Sequence, residues 1–268
     1  SLSAYGELYL YQQDGSLLAS NHSDNAYRRL PPVSPMKLTE QQRQYVNTLG
    51  TLHVSNEMDW LPVDFSVGGD PSGYSVDMIR VLSRMIGLKT EFVNGYSWAE
   101  LVNMFNTGEL EMLQPVVAID KTRDELTQPV IDMPFALVRR ADAEEITDLS
   151  DLNGKTLALI GGWSIVSVLN EKYPQIKLQS MRSLRDALRA VEQGKADAAI
   201  DAEVVLRQTL QQQYMKGLVL DTQVPQLLDL PHALHIRVRP ELAPLKEILD
   251  QAIAAVPASS REFLRQKW

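Results

Sequence analysis

The sequence carries one anion-friendly turn, one well-placed arginine and several aromatic side chains. Gly161-Gly162-Trp163-Ser164 joins an apolar run to a helical pattern. Paired glycines let the backbone approach a ligand closely, and the free N–H groups of a helix start favour an anion. The same residues also read as a plain strand-to-helix turn in which Ser164 is only a cap. Trp163 favours the first reading, because a large ring beside a Gly pair at a strand end covers a ligand better than it fills a core. Arg123 follows an apolar strand, 111–118, that includes Gln114 and Val116. Its guanidinium could hold a carboxylate through two parallel hydrogen bonds, or pair on the surface with Asp120 or Asp124. Trp60, in Asp59-Trp60-Leu61-Pro62, offers a stacking face or packs an edge. Trp98, directly after a helix cap, reads as core.

Catalytic classes find little support. His22, His53, His232 and His235 show no metal-ligand spacing, so no metal site is expected. No G-x-S-x-G elbow, phosphate loop or dinucleotide fingerprint occurs. With no cysteine, thiol nucleophiles, thiolate zinc sites and disulfides are all excluded. Acid–base work by Asp or Glu leaves no local spelling in a sequence. No catalytic residue and no cofactor are expected.

The elements that must position these residues alternate strand and amphipathic helix, which is α/β grammar. Strands are expected at 53–56, 89–93 and 111–118, and helices at 77–86 and 98–106. A second passage repeats the pattern, with strands at 156–160, 176–179 and 197–200 and helices at 164–172 and 184–193. The halves match in register. Ser97, Glu100, Leu101, Phe105, Gly108 and Glu111 correspond to Ser183, Asp186, Ala187, Val191, Gly194 and Asp197 at a constant offset of 86. Each half thus has a Ser N-cap with an acid at the third helical position, a three-turn helix, a terminating Gly and a strand. Two similar lobes imply a cleft. Open sheets bind ligands beyond the carboxyl ends of their strands. That selects Asp59, Trp60 and Phe65, then Asp120 and Arg123, and in the other half 161–164 and Asp201 to Glu203.

Residues 1–37 differ from the rest. Glu7 to Tyr11 and Ser16 to Ser20 flank Asp14-Gly15, a tight-turn dipeptide, and a polar stretch ends at Pro31-Pro32 and Pro35. They read as a hairpin and linker. Thr39 and Gln42 form a capping-box pattern opening a helix toward Leu49, and Ser259 with Glu262 suggests another for the last helix.

Of the 268 residues, 44% are hydrophobic, enough for two modest cores. A net charge of −8, with Lys and Arg scattered, makes nucleic acid an unfavourable partner. No run of about 18 apolar residues is present, and Ser1 opens no signal-peptide pattern, so nothing here is expected to span a bilayer.

From Leu38 to Trp268 the chain resembles the family 3 periplasmic solute-binding proteins, and most closely the Venus-flytrap sensor modules of hybrid sensor histidine kinases and some diguanylate cyclases. The resemblance lies in Leu38-Thr39-Glu40-Gln41-Gln42, Asp59-Trp60-Leu61-Pro62, Gly73-Tyr74 with Asp77, Ser97-Trp98 and Gly108-Glu109-Leu110-Glu111. It continues through Lys121-Thr122-Arg123, Asp151-Leu152-Asn153-Gly154-Lys155, Gly194-Lys195-Ala196-Asp197-Ala198 and Arg265-Gln266-Lys267-Trp268. It implies a two-lobed type II clamshell, with lobe 1 at 38–137 plus 232–268 and lobe 2 at 138–231.

The resemblance also implies a periplasmic sensor that signals by lobe closure to a transmembrane helix after Trp268, the membrane being met only there, with room for a homodimer in the full-length receptor. A free transporter-associated binding protein and a dehydratase-like clamshell enzyme are the alternatives. The implied ligand is a small molecule such as an amino acid or other carboxylate. Arg123 would grip its carboxylate, Trp60 would stack on it, and the Trp163-Ser164 helix start would meet it from the other lobe, with Asp59, Phe65, Gln114, Val116, Gly162 and Asp201 nearby. The sequence departs from the amino-acid pattern at Val116 and Ala118, where Ser or Thr is usual. It departs again at Ala202, where an Asp usually holds the ligand ammonium; here Asp201 stands one position early.

Overall fold

The computed structural model describes residues 9–11, 17–20, 29–213 and 215–268. Strands β1 (Tyr9–Tyr11) and β2 (Leu17–Ser20) pair antiparallel, the hairpin expected of this segment. Its Asp14-Gly15 turn and the polar stretch after it lie outside the described residues. Helix α1 (Glu40–Thr48) starts where the capping box places it: the Thr39 hydroxyl accepts the Gln42 N–H, and the Gln42 side chain accepts the Thr39 N–H.

The first half continues through β3 (Thr51–Ser55), a small antiparallel sheet of β4 (Asp59–Trp60), β5 (Asp64–Val67) and β6 (Asp70–Ser72), then α2 (Tyr74–Ile86), β7 (Lys89–Val93), α3 (Trp98–Thr107) and β8 (Met112–Val117). Helix α2 begins one turn before the expected Asp77, because backbone bonds from Tyr74 and Ser75 to Pro62 and Val63 anchor that extra turn. A short β9 (Ile131–Asp132) and the crossing at Met133-Pro134 lead to β10 (Phe135–Arg140).

The second half holds β11 (Thr156–Ile160), α4 (Ile165–Lys172), β12 (Lys177–Met181), α5 (Leu184–Glu192), β13 (Ala198–Ala202), α6 (Glu203–Gln212) and β14 (Leu218–Asp221). The chain returns through β15 (Ala233–Val238) and ends in α7 (Ala243–Ala255) and α8 (Ala258–Lys267). Helix α8 is not capped by Ser259: Pro257 is its N-cap, its carbonyl taking the Ser260 and Arg261 N–H groups. The fixed φ of Pro257 sets the helix start before the Ser-x-x-Glu pattern can.

Two five-stranded sheets result, in the orders β7-β3-β8-β15-β9 and β12-β11-β13-β10-β14. In each, the first three strands are parallel and the last two antiparallel to their neighbours. β8 and β13 both start at the expected offset of 86 and occupy the same central place. The matched caps are also present, with Ser97 and Ser183 accepting the Glu100 and Asp186 N–H groups and Gly108 and Gly194 left-handed.

Each sheet is the floor of one lobe, and in each the strand next to the central one, β15 or β10, is the first after a crossing. β10 bonds throughout to β13 and β14, so the second sheet takes up the chain at Phe135, upstream of a division at 137/138. The two crossings run side by side, with the Met133 N–H donating to the His232 carbonyl at 2.9 Å. The three central strands of the second sheet, β11, β13 and β10, are buried on both faces. Leu137, Leu157, Leu159 and Ile200 pack under α4, while Val138, Ala158 and Ala199 receive Leu188 and Val191 of α5. Period-two alternation of large and small side chains lets helices sit on both sides.

Candidate functional site

Trp60 joins the two lobes. β4 places it at the end of the first lobe, paired with Asp64 in β5. Its indole N–H crosses to the second lobe and donates to Asp201 Oδ1 at 2.8 Å, at the end of β13. Trp163, on the turn after β11, stands edge-on to Trp60 with ring centroids 6.0 Å apart and lies 6.2 Å from Phe135. Edge-to-face packing of this kind adds about 0.5–1.5 kcal/mol beyond area burial.

Gly162 brings the same turn against α3. A Cβ there would meet the Ala99 Cα at 3.0 Å, and φ is +87°. The Gly pair therefore serves close approach between lobes. Gly162→Ala should cost about 1–2 kcal/mol from the left-handed backbone alone, with the new methyl wedging the lobes; a thermal melt unchanged from wild type would refute this role.

Behind the latch lies a narrow cavity. Its walls are Glu57, Trp60, Trp98, Pro115, Val116, Val117 and Leu234 from one side, Met133 and Phe135 at the crossing, and Trp163, Ser164 and Ala202 from the other. Only ≈ 30 Å³ is open to the centre of a water molecule, room for about two waters. The lobes are closed on each other's aromatic side chains.

Of the residues selected from sequence, Trp60, Val116, Trp163 and Ser164 line this cavity, and Asp201 holds Trp60. Ser164 makes no side-chain cap bond, so capping does not explain it. Gln114 is buried and turned inward: its amide donates to the Ser55 carbonyl at 3.0 Å, and its backbone N–H takes the Ser55 hydroxyl as acceptor at 2.7 Å, stitching β3 to β8. Phe65 packs edge-on against Trp268 at 5.6 Å and does not reach the cavity. Arg123 lies exposed on the 3-10 turn Asp120–Glu125 and is not among the lining residues. Asp59 is half-buried beside Arg185 and Asp186 of α5. Trp98, read as core, is both core and wall.

Sequence reasoning missed Glu57. It sits in the loop already selected after β3, but an acid there has no periodic signal. Its side of the cleft is strongly acidic. Burial pushes the Glu57 carboxyl well above the usual range, and the charges of Asp64, Asp59 and Asp201 push it further. Burial likewise raises Asp64 to about 7, against bonds from the Glu57 N–H and the Asn56 amide. Asp201 is raised to about 8 by burial, against bonds from Trp60 and the Ala202 N–H.

Carboxyls held above their unfolded values retain protons that the unfolded chain releases. Stability should therefore fall as pH rises from about 4, where unfolded carboxyls titrate, toward 7 and 8, by roughly 1 kcal/mol per pH unit for each retained proton. Urea denaturation from pH 5 to pH 8 tests this, and Asp201→Asn should flatten the slope. A rise in stability over that window would contradict it.

Paired lobes of matching topology, two adjacent crossings and a cleft closed across them define a two-lobed clamshell of the periplasmic-binding-protein type. Residues 52–268 match the bacterial extracellular solute-binding proteins, family 3, and the chain belongs to that family. Virulence sensor protein BvgS of Bordetella pertussis is 22% identical over 200 residues, covering 73% of this chain and 16% of BvgS. Probable amino-acid-binding protein YxeM of Bacillus subtilis is 25% identical over 160 residues, covering 58% of this chain and 60% of YxeM. The chain thus spans about a sixth of BvgS and under two thirds of YxeM. The crystal structure of the B. pertussis BvgS periplasmic VFT2 domain superposes with TM-score 0.74 at 18% identity, covering 87% of this chain and 99% of that one, which shows a shared fold. No helix among the described residues is long and apolar enough to cross a membrane.

Proposed function

We propose that this chain is the periplasmic, small-molecule-binding sensor domain of a membrane-bound signalling protein, and that closing of its lobes is the signal. The observation that carries the reading is the Trp60–Asp201 hydrogen bond, made between lobes beside an aromatic cavity that, closed in this way, has room for about two waters. A carrier must close around its cargo, whereas here the closed form is completed by the protein's own side chains. Membership of a solute-binding family and the similarity to a sensor protein support binding rather than turnover.

The chain has no cysteine, so Lys89→Cys and Lys177→Cys place one fluorophore on an exposed edge strand of each sheet. Energy transfer should report a closed form without ligand and a different distance when Trp60 is replaced by Phe. In the membrane-bound protein carrying this domain, the same substitution should change signalling output. Unchanged output with an opened cleft would remove closure as the signal. A free binding protein would instead remain open until ligand is added.

A further inference from the structure

The cavity wall has a charge pattern that the amino-acid expectation does not explain. Its one ionisable lining residue is Glu57, 7% exposed, and no Arg, Lys or His stands among the described lining residues. Next to the wall, Asp201 is fully buried, and its Oδ2 has no hydrogen-bond partner. Facing these groups are Trp60, Trp98 and Trp163, with Phe135 behind. An aromatic face attracts a cation through its quadrupole, and desolvation strengthens the attraction. An anion would meet ring faces, which repel it, and no cationic partner among the described lining residues.

We propose that the cleft takes an organic ammonium that need carry no carboxylate, enclosed by the three tryptophans and neutralised by Glu57 and Asp201. The ligand enters when the lobes part and Asp201 releases Trp60, which leaves Oδ2 open and Oδ1 bonded only to the Ala202 N–H. This deepens the sensor reading and rests on the clamshell being able to open. A metal ion fits the site poorly, because no group of three or more His, Asp or Glu among the described residues could hold one.

Without the cation, protons keep the buried carboxyls neutral, so binding displaces protons. The charged groups facing the pair are Asp59 and Asp64 from the same lobe, with Arg185 and Asp186 of α5 acting on Asp59. Three of these four are acidic, and the arginine acts on Asp59, which is half-buried.

Calorimetry with agmatine, choline, arginine and glutarate tests the proposal. Agmatine or choline should give saturable heat and bind at least as tightly as arginine, while glutarate gives none. Affinity should rise by up to about tenfold per pH unit for each displaced proton between pH 6 and 8, and buffers of different ionisation heat should reveal the release. Glu57→Gln should weaken binding by about ten- to a hundredfold, the scale of a lost charged hydrogen bond. Asp201→Asn gives a second, nearly isosteric test should Glu57→Gln misfold.

Binding of arginine or glutarate without agmatine or choline would overturn the cation assignment and leave the clamshell sensor standing. So would cation binding indifferent to pH and to both substitutions, or no heat from any of the four. Fluorophores that never change distance would instead overturn the sensor reading itself.

Discussion

Asp77→Ala is expected to destabilise the domain by about 3–5 kcal/mol, the usual cost of removing one partner from a buried ion pair. Asp77 is fully buried on α2. Its Oδ2 accepts the Lys267 ammonium at 2.6 Å and the Trp268 indole N–H at 2.9 Å, and its Oδ1 accepts Arg80 at 3.1 Å. One carboxylate therefore pins the last turn of α8 to the first lobe. Alanine would leave the Trp268 indole N–H without this acceptor and the nearly buried Lys267 ammonium with the Arg29 carbonyl but without its carboxylate.

Arg80 is a third exposed, so water replaces much of its share and the loss comes mainly from the other two. At about 2–4 °C per kcal/mol for a domain of this size, the melting temperature should fall by roughly 6–20 °C. Asp77→Asn should lie between, since an amide keeps the shape and one acceptor. A drop under about 1 kcal/mol would mean that α8 is held by its apolar contacts, Leu264 above all, and not by this carboxylate. The same contact ties Trp268 to the Phe65 ring, so loosening α8 should also be felt in the loop that carries Trp60.

Trp60→Ala should have the second large effect, and a different one. Removing a buried tryptophan costs about 3–5 kcal/mol, but here part of the loss falls on the closed arrangement alone. The ring touches Trp163 across the cleft, and its N–H is the acid's partner there. Small-angle scattering should show a larger radius of gyration, and thermal melting a lower midpoint. Trp60→Phe separates the terms. It keeps most of the apolar contact and removes the hydrogen bond, which leaves Asp201 with only the Ala202 N–H among its protein partners. Losing one of the two hydrogen bonds to Oδ1 costs about 0.5–1.5 kcal/mol, equivalent to a shift of roughly 2- to 13-fold in the ratio of closed to open forms. A Trp60→Phe protein as compact as wild type would show that the latch contributes nothing to closure.

The sequence by itself determined what depends on neighbours in the chain. The capping boxes at Thr39 and Ser97, the cap at Ser183 and the left-handed glycines at 108 and 194 are local, and each stands where its residue types require. The offset of 86 carried two such helix–strand units into equivalent places in two sheets, so matched lobes and a cleft were legible. Residues at strand ends were legible as candidates for the same reason, and Trp60, Val116, Trp163 and Ser164 do line the cavity.

Tertiary structure decided which way the candidates face. Gln114 turns its amide into the β3–β8 junction and Phe65 turns to Trp268, because partners distant in sequence set these directions, while Arg123 stays on an exposed turn. Asp201 and Glu57 become neighbours only through lobe closure, and their charge chemistry comes from burial that no local pattern encodes. The clamshell was therefore written in caps and periodicity, while the acidic, tryptophan-lined character of its cleft arises only when two lobes bury each other's side chains.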